Sequence, residues 1–171
     1  MRRRDGGRVV FGRPGAPRTT LAKAVTASCA IPGYFRPVRI DGVEHVDGGV
    51  HSSTNADVLR TEGLDLVVVV SSMSAAGGWA ASPDALLRRA VHRRLDREVR
   101  RLRRAGTTVV RIEPSARVVR AMGVNAMADD RADEVVQQAF LDTGRRTADP
   151  TVARHLAPLA ARAAHRQALA S

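Results

Sequence analysis

The sequence is poor in several residues that decide whole classes of protein. Cys29 is its one cysteine. That excludes an internal disulfide and any metal site built on two or more thiolates. Aromatic residues make up 3% of the chain, which leaves few rings for stacking nucleic-acid bases. Zinc-ligand spacing, an RNA-recognition motif and a helix-turn-helix pattern are all missing, so specific nucleic-acid binding is not expected. No run of eighteen apolar residues occurs, and the best candidate, Leu64 to Val70, is broken by Asp65. A membrane-spanning helix is therefore not expected. Met1 to Gly7 is charged and lacks the apolar stretch of a secretory signal. Together these absences predict a cytoplasmic protein, peripheral to a membrane at most.

What is present is small apolar residues and arginine. The hydrophobic fraction is 44% over 171 residues, enough for a real core though one of low area per side chain. The formal net charge is +11, and Lys23 is the one lysine among 28 basic residues. Such a charge favours polyanions, whether nucleic acid or an anionic lipid surface.

Local signals give an order of elements. Val9-Val10-Phe11 reads as a strand preceded by a hairpin turn at Asp5-Gly6-Gly7. Met1 to Arg4 is a poor partner for it, which suggests a chain entering in the middle of a fold. Thr19 or Thr20 caps a short helix to about Ser28, with Leu21, Ala24, Val25 and Ser28 on one face. Val38–Ile40 and Glu44–Val46 flank the hairpin signal Asp41-Gly42. Asn55 is placed to cap a helix from Ala56 to Glu62, with Gly63 as its left-handed stop.

Leu64 to Val70 reads as a strand buried on both faces. Pro83 opens a long helix with an apolar stripe at Leu87, Val91, Leu95, Val99 and Leu102. Nine arginines lie between Arg88 and Arg104, mostly off that stripe. Thr107 to Ile112 is a second buried strand. Helices follow at Ser115–Met122, Asp130–Thr143 and Pro150–Ala170. Alternating strands and helices predict a three-layer α/β/α domain with a mostly parallel sheet. Residues 1–148 form that domain and 149–171 a C-terminal helix.

Two linked motifs carry the chemistry. The first is Leu21 to Phe35, LAKAVTASCAIPGYF, followed by Pro37-Val38; the second is Val46-Asp47-Gly48-Gly49-Val50. In this order and context they resemble the later part of the patatin-like phospholipase domain, over about residues 9–71. The resemblance implies a serine–aspartate dyad without histidine, acting on lipid or related esters with no metal or organic cofactor. It makes Asp47 the proton acceptor and Gly48 and Gly49 its motif partners, at a strand end that a substrate can approach closely. An aspartate there can also cap a turn by accepting the following N–H groups.

The nucleophile motif G-x-S-x-G occurs nowhere in the sequence, nor does a G-x-G-x-x-G loop for an oxyanion. The expected fold is therefore N-terminally truncated, and this chain alone is not expected to hydrolyse esters. Ser28 sits at a helix end, Ser52 and Ser53 lie just past Asp47, and Ser71-Ser72 lacks flanking glycines. His51 is too near Asp47 in sequence for a triad and reads as a surface residue. His45 reads as a half-exposed strand residue and Cys29 as a buried small hydrophobe. An incomplete sheet would leave an edge that favours self-association. The alternative is a catalytically inactive member of the fold that binds acyl chains, an anionic membrane or a protein partner. The arginine-rich helix 84–105 is the expected membrane-facing element.

Overall fold

The structure, a computed structural model, describes residues 1–75, 83–123 and 130–170. It is a mixed α/β chain that divides into two compact units, residues 1–55 and 56–171.

The first unit is built around a hairpin. Strands β1 (Val38–Ile40) and β2 (Val43–His45) pair antiparallel, with Ile40 opposite Val43. Asp41 and Gly42 both have positive φ, 49° and 74°. Asp-Gly tolerates that conformation, and its twist matches the strands it joins. Ahead of the hairpin, helix α1 (Leu21–Ser28) starts at Thr20, whose side chain accepts the Lys23 N–H. Its inward residues are Ala27, buried, and Ala24, half-buried. Of the face expected inside, Ala24 does turn inward, but Leu21, Val25 and Ser28 are exposed. Small alanines let the helix lie close, so the larger side chains turn out.

Val9-Val10-Phe11 is not a strand. Instead Met1 to Arg3 lies antiparallel beside β2. Arg3 N donates to Glu44 O (2.9 Å) and Val46 N to Met1 O (2.9 Å), with a bridge between Arg2 and His45. The Asp5-Gly6-Gly7 turn is real, closed by Arg2 N to Gly7 O at 2.8 Å. It places Val9 to Phe11 beyond any ladder partner, and β-branched residues alone do not make a strand.

The second unit opens with a turn of 3-10 helix, Ala56–Thr61, where an α-helix was expected. Asn55 takes a positive φ of 48° rather than an extended capping conformation. The first N–H, on Ala56, is instead accepted by the buried carboxylate of Glu98 at 3.0 Å. Strand β3 (Leu66–Val70) pairs parallel with β4 (Thr108–Ile112), Val67 opposite Val109. The connection between them carries helix α2 (Pro83–Arg104), as a parallel pair requires.

Val67, Val69 and Val109 from the sheet meet Leu95, Val99 and Leu102 from α2 in one core with Ala56. Burial along β3 alternates, against the expectation of a strand buried on both faces. Val67 and Val69 are buried while Val68 and Val70 are exposed, because α2 covers one face of this strand.

The seam of α2 also differs from the expected stripe. Ala85, Arg88, Leu95, Val99 and Leu102 are buried and His92 is half-buried, a spacing alternating three and four. Leu87 is 54% exposed and Arg88 only 2%. The Arg88 guanidinium donates to Ser72 O (3.0 Å), so its aliphatic stem packs like an apolar side chain.

Beyond Gly106 and β4 come α3 (Ala116–Met122), α4 (Ala132–Ala148) and α5 (Pro150–Ala170). Ser115 caps α3 by accepting from Arg117 N and Val118 N, and its hydroxyl donates to Asp142 on α4. Among the described residues no helix is long and apolar enough to cross a membrane.

Candidate active site at the Asp-Gly-Gly turn

Asp47 follows β2 by one buried residue, Val46. Its backbone N–H donates to Ala30 O at 3.0 Å. The two motifs recognised in the sequence are thus joined directly: the Ser-Cys-Ala-Ile-Pro loop after α1 supports the strand end that carries the aspartate.

From there the chain turns into a short 3-10 helix, Gly48–Val50, and the Asp47 side chain caps it. Oδ1 accepts the Gly49 N–H at 2.6 Å. Among the described residues no side chain hydrogen-bonds this carboxylate, so Oδ2 keeps its acceptor capacity. The side chain is half-buried. One oxygen is held by the backbone and the other remains available to a donor.

The two glycines differ in what they allow. A Cβ at Gly49 would lie 3.0 Å from Asp47 Oδ1. A Cβ at Gly48 would find Asn55 Nδ2 at 3.8 Å and Ser28 Oγ at 4.0 Å, ordinary contacts. Gly49 is therefore the position where the bare backbone protects the carboxylate. The loop beyond is fastened by Ser52, whose Oγ accepts Asn55 N (3.0 Å) and whose carbonyl accepts Asn55 Nδ2 (2.6 Å). Arg8 reaches the same asparagine, Nη1 donating to Oδ1 at 3.3 Å.

The other residues singled out from the sequence fall elsewhere. Cys29 is exposed rather than buried, at the C-terminal end of α1. It lines an open groove of about 500 Å³ with Val25, Ala30, Phe35 and Val38. His45 is buried at 1% exposure, not half-exposed. Its Nδ1 lies 2.9 Å from Val43 O and its ring stands 5.5 Å from that of Phe11. A carbonyl at Nδ1 favours the proton there and leaves Nε2 as a buried acceptor without a partner among the described residues. His51 is half-buried after the 3-10 turn and Ser52 is buried.

A second polar cluster, in residues 56–171, has no counterpart in the sequence reading. Ser71 and Ser74 follow β3, and Glu113 follows β4, at the carboxyl ends of the parallel pair. Ser74 Oγ donates to Glu113 Oε1 (2.6 Å), and His92 Nδ1 lies 2.9 Å from the same oxygen. Arg111 bridges Glu113 Oε2 (2.6 Å) and Asp96 Oδ1 (2.5 Å).

Burial pushes the Glu113 carboxyl up, but Ser74, His92 and the Arg111 charge together outweigh it and hold it below the usual range. Ser74 is completely buried and Ser71 nearly so. The cluster ties α2 to β4 and offers no hydroxyl to a substrate. Its signal in the sequence is only that polar residues follow both strands, and strand carboxyl ends are where α/β folds gather polar groups.

No curated protein matches the chain. The model of the patatin family, described as patatin-like phospholipase, matches residues 1–60. The match begins earlier than the resemblance drawn from the motifs and ends before β3. It contains α1, the Ser-Cys-Ala-Ile-Pro loop, the hairpin and the Asp-Gly-Gly turn. Over residues 1–60 this chain is thus similar to the patatin-like phospholipase family.

Proposed function

We propose that this chain carries the aspartate half of a serine–aspartate site for acyl-ester hydrolysis, with Asp47 as proton acceptor. The observation that carries the reading is the Asp47 carboxylate itself. One oxygen is pinned by Gly49 N–H at 2.6 Å, and the other has no side-chain partner among the described residues. A general base needs that combination of fixed orientation and a free lone pair.

In this reading a serine hydroxyl gives its proton to Asp47 as its oxygen attacks the ester carbonyl. The serine comes from a G-x-S-x-G turn outside this sequence. The groove lined by Val25, Phe35 and Val38 abuts the same turn through Ala30, and its apolar walls suit an acyl chain. A three-layer α/β/α arrangement of residues 1–148, completed by further strands, belongs to the same proposal.

The test uses a fluorophosphonate probe and a chromogenic short-chain ester. This chain by itself is expected to show neither labelling nor turnover. The longest in-frame product of its gene is expected to hydrolyse the ester and to lose roughly 10²–10⁴-fold in rate with Asp47→Asn. Hydrolysis that survives Asp47→Asn, in either product, overturns the assignment.

A further inference from the structure

The outward face of α2 carries charge that its own surroundings do not answer. At the ~100° per residue of an α-helix, Leu86, Arg93, Arg97, Arg100 and Arg104 fall within about 40° of one line, with Arg89 beside them. All six are exposed, Leu86 by 72%. The acidic side chains described on this helix are engaged elsewhere: Asp96 with Arg111 at 2.5 Å, and Glu98 inward to Ala56 N. Arg94 and Arg101, on the flank, have carboxylate neighbours in Glu98 and Asp57. Arg89, Arg93, Arg97, Arg100 and Arg104 have no hydrogen bond or ion pair among the described residues.

We propose that this ridge is a docking surface for an anionic lipid bilayer, with α2 lying along the membrane plane. From Leu86 to Arg104 the row is about 27 Å long at 1.5 Å per residue. It is one-sided, because the opposite seam of Arg88, Leu95, Val99 and Leu102 is committed to the core. Charge complementarity selects a polyanion. Leu86 then selects among polyanions, because it stands on the same line as the arginines. Against a nucleic-acid backbone an exposed leucine meets phosphates and water. At a bilayer it reaches the acyl boundary while the arginines meet headgroup phosphates. The choice of lipid also rests on the acyl-ester reading of residues 1–60, whose substrate would lie at such an interface.

The experiment is flotation of the full chain with vesicles of phosphatidylcholine alone, and with vesicles of equal parts phosphatidylcholine and phosphatidylserine. Binding is expected to the second only, and to weaken as added salt shortens the screening length. Each arginine near an anionic surface is worth roughly a fivefold factor, so R93Q/R97Q/R100Q/R104Q is expected to lose at least about 100-fold. Circular dichroism checks that this variant stays folded; its arginines are exposed and, among the described residues, unpaired. Leu86→Ser is expected to reduce the binding that survives high salt.

Asp47→Asn is expected to bind vesicles like the parent. Failure of the hydrolytic reading and failure of the docking reading are therefore separate results. Equal binding to both vesicle types overturns the proposal, as does a quadruple variant that binds as well as the parent. Duplex DNA that displaces the vesicles at equal salt, with the same arginine dependence, overturns it in favour of nucleic acid.

Discussion

Neighbouring valines on β3 should respond very differently to the same truncation. Val69 is 5% exposed and faces the core, whereas Val70 is 69% exposed. Val→Ala removes two methyl carbons. At Val69 these lose about 0.8 kcal/mol each in transfer, about 1.6 kcal/mol together. The space they leave among Leu95, Val99 and Val109 adds roughly 1 kcal/mol at ~24 cal/mol per Å³. Val69→Ala should therefore cost about 2–3 kcal/mol, lowering Tm by on the order of 10 °C for a domain of this size.

At Val70 most of the side chain is already in water. What remains is a fraction of the transfer energy and the lower strand preference of alanine, below about 1 kcal/mol together. The assay is urea denaturation followed by far-ultraviolet circular dichroism on parent, Val69→Ala and Val70→Ala. Unchanged m-values license the comparison. If Val70→Ala costs as much as Val69→Ala, β3 is buried on both faces and the one-sided packing described above is wrong.

Gly49→Ala should disturb the Asp47 carboxylate more than Gly48→Ala, because its Cβ would lie 3.0 Å from Oδ1 and that at Gly48 meets only ordinary contacts. Amide chemical shifts of residues 47–51 check this, and equal perturbation by both variants would refute it. Glu98→Ala should cost roughly 1–3 kcal/mol by leaving the Ala56 N–H buried without an acceptor, and Glu98→Gln distinctly less, since an acceptor oxygen remains. Equal urea midpoints for the two variants would sink that account. The Glu113 carboxyl is held below its ordinary value near 4.5 in the folded chain. Its contribution to stability is therefore full above that pH and fades as pH falls through the lower folded value. Glu113→Gln should flatten the fall in stability on acidification in this range, and an unaltered pH profile would count against the cluster.

Elements with local signals were legible in the sequence, and those settled by distant contacts were not. Thr20 as a cap, Asp41-Gly42 as a turn, Gly63 as a left-handed stop, and β4 all follow from the conformational rules of their own residues. The face of α1 was misjudged at Leu21 and Val25, because hydropathy favours leucine and valine while close approach favours alanines such as Ala27. Arg88 was misjudged because a hydropathy scale sees its charge and not its stem, nor the Ser72 carbonyl that receives it.

His45 turned inward for a comparable reason, a local carbonyl and the ring of Phe11. Val9 to Phe11 had the composition of a strand and lacked a partner. At the candidate site the motif singled out Asp47 and both glycines, which the structure places in one turn. It did not distinguish Gly49, whose role is a 3.0 Å clearance, from Gly48. The network around Glu113 joins residues from three elements, and such a convergence is invisible until the chain is folded.

The exposure of Cys29 has a practical consequence. The chain holds a single thiol, and it lies one residue before the Ala30 carbonyl that accepts the Asp47 N–H. A maleimide fluorophore attached there would be unique without any cysteine engineering and would sit beside the junction of the two motifs. Its emission could report, on the native sequence, when a ligand settles next to the aspartate.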